Sequence, residues 1–213
     1  RSAAHYLDAD GDETRHLLDA RLGGAAQGFD WDIEAMLQSG SVGNKDIRAW
    51  AGGSRTGYTF DSLAWKPRIG LQLDIASGDR KTGDGTVGTF NPLFPNGYYF
   101  SLAGYTGYSN LIHVKPSITV KPIDKLSVQT AVGLLWRQTT SDAVYTQPNL
   151  PVAGTAGQGE RWTGAYGQLR TDYVFTPNLT GAVEAVHYAV GRTLRDAGGD
   201  DSNYLGVELK FSW

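Results

Sequence analysis

Cysteine is absent from the 213-residue chain, and methionine occurs once. Without thiols there is no disulfide framework and no thiolate zinc site. Charge is sparse as well. Charged residues make up 19% and the net charge is -3, which leaves no basic footprint for nucleic acid. No run of eighteen apolar residues occurs, so a membrane-spanning helix is excluded. No long segment keeps a helical period either. The chain opens at Arg1 without Met and without a charged-then-apolar leader, which reads as a leader removed or as part of a longer chain.

Glycine and aromatics are plentiful: 28 Gly, six Trp, eleven Tyr and seven Phe, with 40% hydrophobic residues. That content argues against disorder. Period-two alternation recurs throughout. Leu205, Val207, Leu209, Phe211 and Trp213 share one face, opposite Gly206, Glu208, Lys210 and Ser212. Ile112, Val114, Ile118 and Val120 oppose His113, Lys115, Ser117 and Thr119 in the same way. So do Ile69, Leu71, Leu73 and Ile75 against Arg68, Gln72 and Asp74. About ten such segments run along the chain: 2–7, 14–24, 29–38, 45–58, 66–77, 110–121, 126–137, 162–175, 179–190 and 203–213. Their length matches the roughly 9–11 residues of a tilted membrane strand. The stretch 51–56 (AGGSRT) loses its alternation, which predicts a bulge or glycine bend.

Connections alternate between short turns (25–28, 59–64, 122–125, 176–178) and longer loops (8–13, 40–44, 78–109, 138–161, 191–202). An up-and-down barrel places these at opposite ends, with the C-terminus on the short-turn side. Tyr58, Phe60, Trp65, Trp136, Trp162, Tyr173, Phe175, Phe211 and Trp213 fall near segment ends, as an interfacial girdle requires. A lipocalin-like barrel or a sandwich shares the alternation. Arg68, Asp74, Lys115, Arg170, Asp172, Glu208 and Lys210 on the polar faces argue against a small closed soluble barrel, whose core they would have to occupy. The expected fold is therefore an all-β, antiparallel up-and-down transmembrane β-barrel.

The stretches 89–100 (TFNPLFPNGYYF), 103–110 (AGYTGYSN), 133–140 (GLLWRQTT), 144–149 (VYTQPN) and 203–213 (NYLGVELKFSW) together resemble the alginate-export family of outer-membrane barrels. The segments 11–15 (GDETR) and 74–79 (DIASGD) fit the same pattern. The resemblance implies a passive channel in the bacterial outer membrane, for an anionic polysaccharide or a related anionic solute, with lipid around it and no cofactor or catalytic residue. Family members are longer, so residues 1–213 are expected to be one barrel domain or the C-terminal part of a larger one. A general porin, or a non-transport barrel component of an envelope assembly, shares the fold without the solute.

If the polar faces line a pore, Arg15, Arg21, Arg68, Lys115, Arg137, Arg170 and Lys210 form the candidate anion path, since Arg pairs with carboxylates bidentately. The competing reading is that these cations pair with carboxylates on neighbouring strands and brace the wall. Asp30, Asp32 and Glu34 would repel a polyuronate unless cross-strand partners neutralise them. The loop 78–109, with Phe90, Asn91, Pro92, Phe94 and Pro95 at its core, is either a constriction folded into the pore or a cap over neighbouring loops. Asp30 and Asp32 have the spacing of a glycosidase pair, but so does nearly any polar strand face. Four scattered His carry no metal spacing. Asp8, Asp10 and Asp12 start like a calcium loop, but Glu13 stands where the glycine belongs, so an acidic surface loop is expected.

Overall fold

The computed structural model describes residues 9–213 in full and residues 2–5 as backbone. The strands are β1 (Ser2–His5), β2 (Asp10–Ala26), β3 (Phe29–Val42), β4 (Lys45–Thr59), β5 (Arg68–Ala76), β6 (Thr86–Val87), β7 (Leu111–Ile123), β8 (Leu126–Trp136), β9 (Tyr145–Thr146), β10 (Leu150–Pro151), β11 (Trp162–Thr176), β12 (Leu179–Val190) and β13 (Ser202–Phe211). One short helix, α1 (Arg192–Asp196), precedes the last strand. The wall is an antiparallel sheet in the order β1-β2-β3-β4-β5-β7-β8-β11-β12-β13, so that each wall strand lies beside the next wall strand in the sequence. β6 adds to β4 in parallel, and β9 pairs with β10 inside a loop. Among the described residues no ladder joins β13 to β1, so the sheet is an open wall.

The alternation in the sequence sets the faces. Ile69, Leu71, Leu73, Ile118, Leu169, Val183, Leu205, Val207 and Leu209 are exposed on one side. Gln72, Asp74, His113, Gln168 and Glu184 are buried on the other. This is the inverse of a soluble core and the arrangement that lipid demands. Aromatic pairs mark the rims: Tyr58–Phe60, Tyr173–Phe175 and Phe211–Trp213 at the short-turn end, and Trp136–Trp162 at the other.

Two expectations need correction. The segment 40–44 is not a long loop: β3 and β4 pair out to Val42 and Lys45 and leave a two-residue turn. Gly43, at φ +55 with the Asp10 carbonyl 2.4 Å from where a Cβ would sit, makes that tight reversal possible. The opposite-end connection 60–67 is the longer of the two, so the alternation of loop lengths is not strict.

The stretch 51–56 holds no bulge, since β4 keeps regular register with both β3 and β5. Its glycine serves another purpose. A Cβ on Gly53 would lie 2.9 Å from Asp74 Oδ1 and from the Tyr99 hydroxyl. The position is bare so that inward side chains can cross above it. Gly53→Val is therefore expected to displace Tyr99 from Asp74 and to cost about 1–3 kcal/mol of stability. Unfolding by denaturant, with wild-type stability as the refuting result, checks it.

Candidate functional site

The connection between β5 and β7 leaves the rim and runs across the concave face of the wall. It is fastened on one side to β3, where Gln38 Nε2 donates to the Asn91 carbonyl at 2.7 Å and the Asn91 N–H returns to Gln38 Oε1 at 3.1 Å. On the other side the Tyr105 hydroxyl meets Ser202 Oγ of β13 at 2.9 Å. Between these points Tyr108 donates to the Gly52 carbonyl at 2.9 Å, and Tyr99 donates to Asp74 Oδ1 at 2.9 Å. Phe90 and Phe100, each 1% exposed, pack with Ala49, Ala76, Leu111, Leu135 and Tyr166 to form the main apolar core. Tyr99 and Tyr108 stack with ring centroids 5.5 Å apart. Burial, and then the Asp74 carboxylate, push both phenols well above their ordinary range, so they stay neutral donors.

The five residues at the heart of this loop separate by role. Phe90 is core and Asn91 is the tie to β3. Pro92, Phe94 and Pro95 line a pocket of about 240 Å³ against Leu17, Asp19, Glu34 and Met36, with Phe94 itself 93% exposed.

Most inward cations have carboxylate partners on the wall. Arg15 binds Glu13 at 2.5 Å and Gln38 at 2.6 Å. Arg21 forms a two-pronged pair with Asp32 across the β2–β3 ladder, its Nε donating at 2.7 Å. Arg68 reaches past β4 to grip Asp30 at 2.8 and 2.6 Å. Arg170 meets Asp172 at 2.8 Å, Glu184, and Glu208 at 3.4 Å. Asp32 is thus neutralised from the neighbouring strand β2 and Asp30 from β5, two strands away, a relationship that strand-by-strand reading does not reveal. Arg137 lies elsewhere: 1% exposed, it donates to the carbonyls of Thr140, Asp142, Thr155, Gln158 and Glu160 and so ties up the loop 138–161. Burial lowers its pKa, with Asp142 opposing. Lys210 is exposed near the short-turn end and makes no ion pair among the described residues.

Lys115 and Arg55, deeper on the inner face, likewise close no ion pair among the described residues, although Arg55 stands opposite Asp32 in the β3–β4 ladder. Lys115 Nζ donates to the Phe100 carbonyl at 2.7 Å. Arg55, absent from the sequence-based set, lies 4.4 Å from the Tyr99 ring centroid and donates to the Tyr99 carbonyl at 3.3 Å. The only sequence signal for Arg55 was its phase in β4, opposite the outward Trp50, Thr56 and Tyr58. Together with Arg68, Gln72, Gln129, Gln168 and the exposed Tyr98, they line a cavity of about 270 Å³ beneath the inserted loop. A cationic, amide-rich cavity with an aromatic side can hold carboxylates and sugar hydroxyls.

Of the acidic loop 8–13, Asp8 lies outside the described residues. Asp10 and Asp12 belong to β2, and among the described residues no acidic or His cluster could hold a metal ion. Asp201 acts as a local cap: it accepts from the Val190 N–H at 2.9 Å, which, ahead of Arg195, holds its carboxyl below the usual range.

No curated protein sequence matches the chain. Among solved structures, the NanC porin in a rhombohedral crystal form aligns at 10% identity with a TM-score of 0.48, over 100% of this chain and 90% of that one. The alginate export family model matches residues 1–208. With an antiparallel wall, an apolar outer face and a polar inner one, the chain belongs to the alginate export family of outer-membrane β-barrel channels.

Proposed function

We propose that the concave face lines a passive channel in the bacterial outer membrane, and that an anionic polysaccharide or related anionic solute crosses it along Arg- and Lys-bearing lumen. Residues 1–213 then form one barrel domain or the C-terminal part of one. The observation that supports this best is the cavity beneath the inserted loop, lined by Lys115 and Arg55, which hydrogen-bond to loop carbonyls instead of closing an ion pair with a wall carboxylate. A polyuronate offers one carboxylate per sugar, and each can exchange between such cations as the chain advances. Arg15, Arg21, Arg68 and Arg170 contribute positive charge already shared with the wall, and Lys210 stands at the short-turn end. Phe90, Asn91, Pro92, Phe94 and Pro95 belong to the segment that narrows the passage.

Conductance of the full-length chain in planar lipid bilayers tests the reading. The wild type is expected to pass anions in preference to cations and to be blocked by oligouronates. Lys115→Glu and Arg55→Glu should each weaken that block by roughly tenfold, or ~1.4 kcal/mol. Arg68→Glu and Arg170→Glu should move ion selectivity toward cations. An open pore indifferent to oligouronate would identify a general porin instead. No conductance at all would leave a non-transport wall component of the envelope.

A further inference from the structure

A chain of polar groups crosses the buried centre of the inner face. His113, with 0% of its surface exposed, has Nδ1 2.9 Å from Asp74 Oδ2 of β5 and Nε2 2.9 Å from the Tyr166 hydroxyl of β11. Tyr166 donates at 2.7 Å to the Phe100 carbonyl in the inserted loop, the same carbonyl that holds Lys115. Asp74 also accepts from Tyr99 at 2.9 Å and from Gln72 at 2.8 Å. One imidazole therefore connects β5, β7 and β11 to the loop. Phe100 packs edge-on against it at 5.0 Å, and Tyr166 stacks on it at 5.9 Å.

The hydrogen-bond geometry fixes how many protons the cluster holds. The Tyr166 hydroxyl has one proton to give. When it goes to the Phe100 carbonyl, the contact with His113 Nε2 needs a proton from the imidazole. The Nδ1 contact with Asp74 then needs another. Whether the pair is imidazolium with carboxylate or imidazole with carboxylic acid, it carries one proton more than neutral imidazole with carboxylate. Remove that proton and Nδ1–H still donates to Asp74, but Nε2 becomes an acceptor. Tyr166 must then turn its hydroxyl toward the ring, and the Phe100 carbonyl loses a donor.

We propose that Asp74, His113 and Tyr166 form a proton-operated latch that seats the inserted loop, with His113 as its positioning residue. Protonated, the latch gives the Phe100 carbonyl a second donor beside Lys115; deprotonated, it withdraws that donor and loosens the segment around Phe100, while the ties at Asn91, Tyr105 and Tyr108 remain. The groups facing the ring fit this role. The charged groups nearest the ring are Asp74 of β5, Lys115 of β7 and Arg55 of β4, and the phenols of Tyr99, Tyr108 and Tyr166 around them, with Tyr188 behind Tyr166, add no charge. The consequence for conductance rests on the channel reading above; the latch itself does not.

Because the chain has no cysteine, Phe94→Cys at the exposed loop tip accepts a single spin label in the full chain reconstituted in liposomes. Label mobility in an otherwise wild-type protein should step upward as pH rises, between about pH 5 and 8. One hydrogen bond gained or lost changes the seated population roughly fivefold. His113→Gln, which does not titrate, should show no step. Tyr166→Phe, which keeps the ring and removes the link, should leave the label mobile at every pH. A flat wild-type profile, or a step that survives in His113→Gln, overturns the latch. Single-channel conductance should rise over the same pH interval in the wild type. Conductance with a pH-flat label overturns the latch alone, whereas a label step in a protein that conducts nothing overturns the channel reading and supports the latch.

Discussion

Arg137→Ala is expected to unseat the loop 138–161 and to remove about 3–5 kcal/mol of stability. The guanidinium reaches five carbonyls from one buried position, and the loop is built around it. Those carbonyls converge because a planar fork with five N–H groups can serve them at once. Alanine leaves them turned toward a cavity with no donor in it. Lysine brings three donors on one nitrogen and should restore only part of the loss. Limited proteolysis of the folded protein reads the effect directly: cleavage within 138–161 should accelerate in Arg137→Ala and less so in Arg137→Lys. A protease profile identical to wild type would mean that the carbonyls find other donors and that the guanidinium is not what holds the loop.

Val183→Arg is expected to cost about 2–4 kcal/mol when the protein folds into bilayers. Val183 sits mid-strand in β12, 50% exposed, opposite Val207 of β13 and Thr171 of β11. Its side is the apolar one, where an arginine must be buried in hydrocarbon or bend the bilayer toward itself. Gln129→Arg in β8 introduces the same side chain on the inner face and should change stability by less than about 1 kcal/mol. Denaturant titration of folding into lipid vesicles measures both. Equal costs at the two positions would refute the assignment of the outer face to lipid.

The wall was legible because its information is periodic and local. Alternation at 68–77 and 203–213 placed β5 and β13 to within a few residues, and the same pattern separated an apolar face from a polar one before any neighbour was known. Glycine was harder to read. At 40–44 it looked like loop and proved to be a hairpin of two residues, while at Gly53 it looked like a bend and proved to be clearance for side chains from other strands. Both errors share a cause: the reason for a missing side chain lies in what approaches it, and that is a property of space. The partners of the cations were hidden for the same reason. Arg68 and Asp30 are 38 residues apart in the chain, and His113 is joined to Asp74 and Tyr166 across separations of 39 and 53. Scattered histidines with no metal spacing gave no hint that one of them was a junction. Arg55 was overlooked because its strand lost clear alternation just there.

The cross-strand pairs that brace the wall have a bearing on how long a guest would stay. A polyanion laid along five bare arginines would gain five grips at once, and if each were worth a tenfold change its residence would lengthen roughly 10⁵-fold. Such a lining would be a trap. With Arg21 shared with Asp32, Arg68 with Asp30, and Arg170 divided among three carboxylates, each carboxylate of the proposed guest would compete with an acid already in place. On the proposed channel reading, swapping one partner for another would change the energy little, so successive sugars would meet a smooth track rather than a series of deep wells.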